Sequence, residues 1–241
     1  MPTKTAIVTG ASAGIGKDIA LTMLDQGYKV IALNRRAPDY THANLVAYDV
    51  DLIDAKATAE VAKDIAAHHQ VTNIVHNAGM IRPALIEDVK LEDLHALVDL
   101  HMGAAITLTQ AALPAMKTAG FGRIVLMSTR AIVGLPSRTV YAGTKSAMIA
   151  MTRTWAMELG AHGITVNAIA PGPVVTDMFT HVVPAESEKA KALAASLPRR
   201  RLGRPDDVTR ATMFFLDEQN DWITGQTLFV CGGSSLGGLA L

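Results

Sequence analysis

The sequence predicts an α/β domain in which a doubly wound parallel sheet carries helices on both faces. Short β-rich apolar runs alternate with amphipathic helical patterns along nearly the whole chain, and the first run leads through a glycine-rich turn into a helix. Such alternation implies parallel strands joined by right-handed crossovers. A chain of 241 residues, 49% of them hydrophobic, can fill one such core, so we predict a single domain over residues 1–241.

Composition narrows the classes of function. The 22 basic and 22 acidic residues give a formal net charge of +0, so bulk electrostatics favours neither a nucleic-acid partner nor a membrane partner. Cys231 is the single cysteine and the N-terminus leads directly into a strand, which predicts a cytoplasmic protein without an internal disulfide. Because the histidines and the cysteine lack zinc-motif spacing, we predict no metal site.

The first strand and helix predict a nucleotide site. A β-rich run over residues 4–9 enters the turn Gly10-Ala-Ser-Ala-Gly14-Ile-Gly16, after which the apolar residues keep helical spacing. The glycines allow a tight turn and a close approach of the backbone to a pyrophosphate. The N–H groups and the dipole at the helix N-terminus favour the negative charge of that pyrophosphate. The turn therefore predicts dinucleotide binding.

The end of the second strand bears on the choice of dinucleotide. Residues 29–33 form this strand, which ends at Asn34-Arg35-Arg36. An acidic residue at position 34 would accept hydrogen bonds from a free ribose 2′-hydroxyl and would repel a 2′-phosphate. The neutral Asn34 and the two arginines therefore favour NADP(H), with Arg35 as the main phosphate partner. NAD(H) stays possible, since both arginines could equally be solvated loop charges.

The remaining elements follow from the same two periodicities. Apolar residues recur on one helical face between Leu91 and Met116, and β-rich runs precede glycine, proline or asparagine clusters. We predict strands at residues 45–48, 71–75, 122–128, 163–168 and 227–230, and helices at residues 54–67, 91–116, 141–159 and 206–216.

The catalytic interpretation rests on one helix and on the strand before it. The strand over residues 122–128 ends on the hydroxyl of Ser128, and strand ends in α/β sheets are where ligand sites collect. Tyr141 and Lys145 are four residues apart, so a helix places them on one face. A nearby cation favours the phenolate and should lower the pKa of Tyr141 toward the working range. Tyr141 could then act as general acid and base.

Ser128 followed by Tyr141-x-x-x-Lys145, downstream of the glycine turn, resembles the short-chain dehydrogenase/reductase family, and the wording of the motifs is similar to that of 3-oxoacyl-carrier-protein reductases. The resemblance implies a Rossmann-type seven-stranded sheet of order 3-2-1-4-5-6-7 and a homotetramer. It implies hydride transfer between NADPH and a ketone, or the reverse reaction with a secondary alcohol. Tyr141 would supply the proton and Ser128 would hydrogen-bond the oxygen, while Lys145 would lower the tyrosine pKa and hold the nicotinamide ribose.

The resemblance also implies a set of cofactor contacts. Within this set Ile15 stacks near the nicotinamide, Asp49 accepts from the adenine amino group, and Val174 and Thr176 bond the carboxamide. Asp49 could also cap the helix that follows it, and this second role is compatible with the first. The full set is Gly10, Ser12, Ala13, Gly14, Ile15, Gly16, Asn34, Arg35, Asp49, Val50, Asn77, Ala78, Gly79, Tyr141, Lys145, Pro171, Gly172, Val174 and Thr176.

Two histidines depart from the pattern of the family. His76 replaces the first asparagine of an Asn-Asn-Ala-Gly element, and His101 stands where the family has the asparagine that completes its catalytic group. That asparagine holds a water that links the lysine to solvent. His101 is either a substitute relay, since imidazole both donates and accepts, or a core histidine bonded to a backbone carbonyl.

Substrate specificity has weaker signals. Residues at about 177–201 are polar and helix-prone, which is typical either of a lid over the substrate or of an ordinary surface insertion. Arg130 and Arg138 could receive an anionic substrate or be solvated. Two other functions stay open: an NAD-dependent alcohol or sugar dehydrogenase, and a nucleotide-binding sensor without turnover, for which His101 is the one hint.

Overall fold

The computed structural model describes residues 4–184 and 186–236, and its centre is one parallel sheet. The strands run in the order β3-β2-β1-β4-β5-β6-β7, and all pairs are parallel. This order confirms the predicted doubly wound fold. The strands are β1 (Thr5–Thr9), β2 (Lys29–Asn34), β3 (Leu45–Asp49), β4 (Asn73–His76), β5 (Gly122–Met127), β6 (Ile164–Pro171) and β7 (Thr227–Val230).

Eight α-helices surround the sheet in the described part of the chain. They are α1 (Gly14–Asp25), α2 (Ala55–His68), α3 (Leu91–Val98), α4 (Ala104–Ala119), α5 (Thr139–Leu159), α6 (Asp177–Val182), α7 (Glu188–Ser196) and α8 (Pro205–Leu216).

Two hydrophobic cores lie on the two faces of the sheet, because successive strand residues point in opposite directions. On one face Ile7 of β1 packs in a cluster with α2, α4 and α5. On the other face its neighbours Ala6 and Val8 pack with α1 and α8. The strands are buried on both faces, which is why they read as nearly continuous apolar runs in the sequence.

Most predicted boundaries differ from the observed ones by one or two residues, and three elements show the differences that matter most. The fourth strand begins at Asn73 rather than at residue 71, and the sixth continues from residue 168 to Pro171. The helix predicted at residues 91–116 is interrupted by a π-helical turn at Asp99–Gly103. It ends at Ala119, where Gly120 takes a left-handed conformation with φ of 60°. Such π turns are frequent at functional sites, and this one contains His101.

The continuous helical stretch Leu91–Ala119 is long and apolar enough to cross a membrane by length and composition alone, and it is the one such helix among the described residues. Its most apolar window is 44% buried within the fold. Leu108 and Met116 of this stretch belong to the core against α2 and the sheet. Packing inside the domain therefore accounts for part of its apolar character.

Candidate active site

Lys145 lies at the carboxyl end of β5, one helical turn after Tyr141 in α5. Its side chain is 2% exposed, and its Nζ donates a hydrogen bond of 2.6 Å to the carbonyl oxygen of Met127. Burial lowers the pKa of Lys145 to about 7, because the ammonium loses most of its hydration. Protonated and neutral forms of this side chain therefore coexist near neutral pH.

The phenol of Tyr141 has a different electrostatic environment from the one predicted. Burial raises its pKa, and a hydrogen bond from the Thr129 hydroxyl together with the positive charge of Arg138 partly offsets that rise. The expectation that Lys145 lowers this pKa is therefore wrong for the protein alone. The ammonium of Lys145 donates to the carbonyl oxygen of Met127 instead, and burial disfavours its protonated form.

The two consecutive hydroxyl residues after β5 have separate roles. Ser128 is 2% exposed, and its Oγ donates a hydrogen bond of 2.9 Å to the carbonyl oxygen of Lys145. Thr129 is near enough to Tyr141 to lower the pKa of its phenol, and Oγ1 of Thr129 accepts from the N–H of Ala131 at 3.2 Å. The role of Ser128 at the reacting oxygen therefore stays a prediction, and Thr129 is a second hydroxyl residue near the phenol of Tyr141.

His101 is fully buried and belongs to the same cluster. Its Nδ1 lies 2.9 Å from Oγ1 of Thr144, and its ring meets that of Tyr141 edge to face with centroids 5.8 Å apart. No described group bonds its Nε2. The interpretation of His101 as a core histidine bonded to a backbone carbonyl is therefore wrong, since its partner is a side-chain hydroxyl.

His76 supports the π turn that carries His101. Oγ1 of Thr9 accepts from the N–H groups of Asn77 and Ala78, so its hydroxyl hydrogen is directed to Nδ1 of His76, 3.2 Å away. Nε2 of His76 therefore carries a proton and donates to the carbonyl oxygen of Leu100 at 3.1 Å. Burial lowers the pKa of His76 to about 3, so the ring is neutral near pH 7 and its hydrogen bond to Leu100 does not change with protonation there.

The glycine turn between β1 and α1 approaches its neighbours too closely for side chains. Gly10 and Gly14 have positive φ values of 66° and 55°, and a Cβ at Gly16 would overlap the Gly10 carbonyl oxygen. α1 follows from Ala13, whose extended backbone offers no side-chain cap. The first N–H groups of α1 are therefore free to bind an anion. The turn also presents Ser12 and Ile15, both partly buried.

Asn34 is the strongest sign of a ligand at the end of β2. Its residue is 4% exposed, yet both polar atoms of its amide lack a partner in the described structure. A buried amide without partners is costly, so a hydroxyl or phosphate oxygen at this place would satisfy it. Arg35 follows on the exposed surface and is free to reach the same ligand. The residues present thus fit an adenosine ribose with or without a 2′-phosphate.

Asp49 and Val50 complete the adenine side of the cleft. Asp49 is exposed at the end of β3, and Val50 is buried beside it, with its N–H bonded to the carbonyl oxygen of Asn34 at 2.8 Å. The alternative in which Asp49 caps α2 is wrong. Asp54 takes that role, because its Oδ1 accepts from the N–H groups of Lys56 and Ala57.

The turns after β4 and β6 close the cleft on its other side. Asn77 braces the glycine turn, since its Nδ2 donates to the carbonyl oxygens of Thr9 and Gly10. Thr176 caps α6, and its methyl group lies against Gly14. The predicted residues Ala78, Gly79, Gly172 and Val174 lie in these same turns, and Pro171 is the last residue of β6.

Most of the predicted residues therefore meet along the carboxyl ends of β1, β2, β4, β5 and β6. The uncapped α1 and the unsatisfied Asn34 fit a dinucleotide, and Tyr141, Lys145 and Thr129 lie where it would end. In the part of the chain that the structure describes, no group of three or more His, Cys, Asp or Glu residues could hold a metal ion. The segment at residues 177–201, predicted as either a lid or a surface insertion, contains α6 and α7.

Known proteins share this arrangement over nearly the whole chain. A family model described as Enoyl-(Acyl carrier protein) reductase matches residues 10–235. The chain is 32% identical over 244 residues to (2S)-((R)-hydroxy(phenyl)methyl)succinyl-CoA dehydrogenase subunit BbsD of Thauera aromatica, covering 97% of each chain. It is 33% identical over 247 residues to the 3-oxoacyl-acyl-carrier-protein reductase FabG of Thermotoga maritima, covering 95% of this chain and 97% of that one. The structure of ElxO with NADP bound matches with a TM-score of 0.88 and 27% identity over 97% of this chain and 99% of that one.

Proposed function

This chain belongs to the short-chain dehydrogenase/reductase family and is an oxidoreductase acting on CH–OH or C=O groups, and we propose that it reduces a ketone with NADPH. The observation that carries the proposal is the meeting of Tyr141, Lys145 and Thr129 at the end of a cleft built for a dinucleotide. The reverse reaction, oxidation of a secondary alcohol, uses the same groups.

The protein supplies the acid–base chemistry and the orientation. The bound cofactor would provide or accept the hydride. The phenol of Tyr141 gives its proton to the carbonyl oxygen in reduction, and the Thr129 hydroxyl bonds the same oxygen as its charge develops. Lys145 holds the nicotinamide ribose and places a positive charge near the phenol. These roles require that cofactor and substrate approach the cluster from the open side of the cleft.

NADP(H) is favoured by the end of β2. Asn34 adds no negative charge where a 2′-phosphate would lie, and Arg35 can bind that phosphate with two N–H groups. ElxO, which has a similar fold and 27% identity, binds NADP. Use of NAD(H) would make the chain an NAD-dependent alcohol or sugar dehydrogenase, which is the second candidate within the enzyme class.

Arg35→Ala is expected to weaken NADPH binding by about tenfold or more, because a charge-assisted hydrogen bond is worth about 1.5–3 kcal/mol. NADH binding should change little, since NADH lacks the 2′-phosphate. Fluorescence titration of both cofactors measures the ratio, and the exposed neighbour Arg36→Ala is the matched control. An equal loss for both cofactors would contradict the assignment of Arg35.

The substrate class is proposed from Arg138 and from the relatives. Nη1 of Arg138 donates to the carbonyl oxygen and Oγ of Ser137, at 3.1 and 2.8 Å, and no carboxylate of the described residues pairs with it. Its charge reaches Tyr141. A substrate with an acidic group beside a ketone would satisfy this charge. One relative is named for a substituted succinyl-CoA, which keeps a free carboxylate, and another is a 3-oxoacyl reductase, so the two support an acidic substrate and a 3-oxoacyl type of substrate respectively.

The proposed function is tested by cofactor titration followed by a carbonyl panel read at the nicotinamide absorbance. The panel includes matched pairs of 3-oxo acids and their esters. We expect tight NADPH binding, turnover that favours the acids, and loss of turnover in Tyr141→Phe with binding retained. Binding without turnover on any carbonyl would instead favour the sensor without catalysis.

We also propose a single domain, with α6 and α7 as a lid over the substrate. α6 follows directly on Thr176, which lies against the glycine turn, and α7 begins at Glu188. A cytoplasmic homotetramer is proposed from the family resemblance and the absence of paired cysteines, since Cys231 is the one cysteine of the chain. Light scattering of the purified protein would measure the assembly.

A further inference from the structure

We propose that His101 is a positioning residue that holds the ammonium of Lys145 through the lone pair on its Nε2, directly or through one water. The proposal rests on the proposed function for its catalytic meaning. The geometry on which it rests belongs to the protein alone. The proposal assigns a role to His101, which stands where the family has an asparagine.

The tautomer of His101 follows from its partner. Oγ1 of Thr144 has one hydrogen, which is directed to the backbone carbonyl of Val140 at 3.0 Å or of Tyr141 at 3.2 Å. Oγ1 can therefore only accept from His101, so Nδ1 carries the proton in the 2.9 Å bond between them. The neutral ring then has its lone pair on Nε2.

That lone pair faces the same space as Lys145. A Cβ placed on Gly79 would lie 3.2 Å from Nε2 of His101 and 3.3 Å from Nζ of Lys145, so both atoms border one small gap beside this glycine. Nε2 of His101 is buried without a partner among the described residues, whereas Nζ of Lys145 donates one of its hydrogens to the carbonyl oxygen of Met127. An unsatisfied acceptor and an ammonium with spare donors thus meet at Gly79.

The charges around the gap favour this arrangement. The described titratable groups that face it are His76 from β4 and Tyr141 and Lys145 from α5, with His101 itself on the π turn. Burial and the charge of Lys145 both lower the pKa of His101, which keeps its ring neutral and accepting. His76 is neutral too, so no second cation competes for the lone pair.

The consequence is a higher pKa for Lys145 than burial alone would allow. A hydrogen bond to the charged form favours that form, so the acceptor on His101 opposes the desolvation of the ammonium. It therefore extends the pH range in which Lys145 is protonated. The π turn and its bond to His76 fix where the acceptor stands.

Two substitutions at position 101 test the acceptor on the ring. His101→Leu leaves no polar atom beside Lys145, whereas His101→Gln can place an amide oxygen where Nε2 stands. We expect the pKa of Lys145 to fall by about one unit in His101→Leu, a tenfold change in its protonation equilibrium, and to stay near the wild-type value in His101→Gln. NMR titration of ¹³C-labelled lysine measures it, with the Lys145 signal assigned by its loss in Lys145→Met.

A second pair tests the same bond with His101 in place. Thr144→Val removes the hydroxyl that keeps the proton on Nδ1, so the same fall in the Lys145 pKa is expected, whereas Thr144→Ser should behave as wild type. An unchanged pKa in both His101→Leu and Thr144→Val would overturn the proposal. The titration needs no cofactor or substrate, so it can fail or succeed independently of the proposed reaction. If turnover is found, its decline at high pH should move to lower pH in the same two variants.

Discussion

Thr129→Val is expected to reduce kcat by about 100- to 1000-fold, because removing one preorganised donor to a developing oxyanion costs that much in other enzymes. Valine keeps the shape of threonine and lacks the hydroxyl that lowers the pKa of the Tyr141 phenol. The pKa of Tyr141 should rise further in this variant, since one of the two groups that lower it is lost. The substitution is therefore expected to slow the proton transfer and to remove a hydrogen bond that stabilises the oxyanion.

Ser128→Ala is the matched control, one residue earlier in the chain. Its hydroxyl bonds the backbone of α5 at the carbonyl oxygen of Lys145, so we expect a modest loss of stability and a kcat within about threefold of wild type. Thr129→Ser should restore most of the activity. Steady-state kinetics and thermal unfolding of all three variants separate the two effects, since Thr129 also accepts from Ala131. A large loss of kcat in Ser128→Ala alone would return the catalytic role to the residue that spacing favoured.

The choice between Ser128 and Thr129 is one that sequence spacing alone does not decide. Counting back thirteen residues from Tyr141 leads to Ser128, but consecutive residues at the end of a strand point to opposite sides. A shift of one position therefore exchanges the side chain that faces the phenol for one that faces the helix. Local spacing cannot detect such a shift, because it depends on how β5 and α5 pack.

Other features were predictable because their signals are local. The glycine turn and the four-residue spacing of Tyr141 and Lys145 each lie within one short segment. The alternation of strands with helices is a series of such local patterns, and the structure has all three features. The environment of His101 was not predictable in the same way. Its partner Thr144 is 43 residues away in sequence, and its orphaned nitrogen faces Gly79 from yet another segment. The π turn that orients the His101 ring has no signature in the hydrophobic periodicity.

Lys145→Met is expected to abolish useful turnover and yet to stabilise the fold at neutral and acidic pH. The pKa of Lys145 falls from 10.5 to about 7 on folding. Below pH 7 the folded protein therefore bears the full cost of burying the ammonium. Between pH 7 and 10.5 the unfolded chain binds the proton that the folded protein has released, so wild-type stability rises with pH across this window. Methionine fills a similar volume without charge and has no such term.

The difference in Tm between Lys145→Met and wild type should thus be largest below pH 7 and shrink toward pH 10. We expect about 10–20 °C at pH 6, since a fall of about 3.5 pKa units corresponds to about 5 kcal/mol and each 1 kcal/mol moves Tm by about 2–4 °C in a chain of this size. Lys63→Met on the exposed face of α2 is the control and should shift Tm little at any pH. A constant difference across pH would mean that Lys145 keeps an ordinary pKa in the folded protein. A difference that shrinks as pH rises would show that the chain gives up stability to keep a charge-switchable amine beside Tyr141, which is the property that the proposed reaction needs.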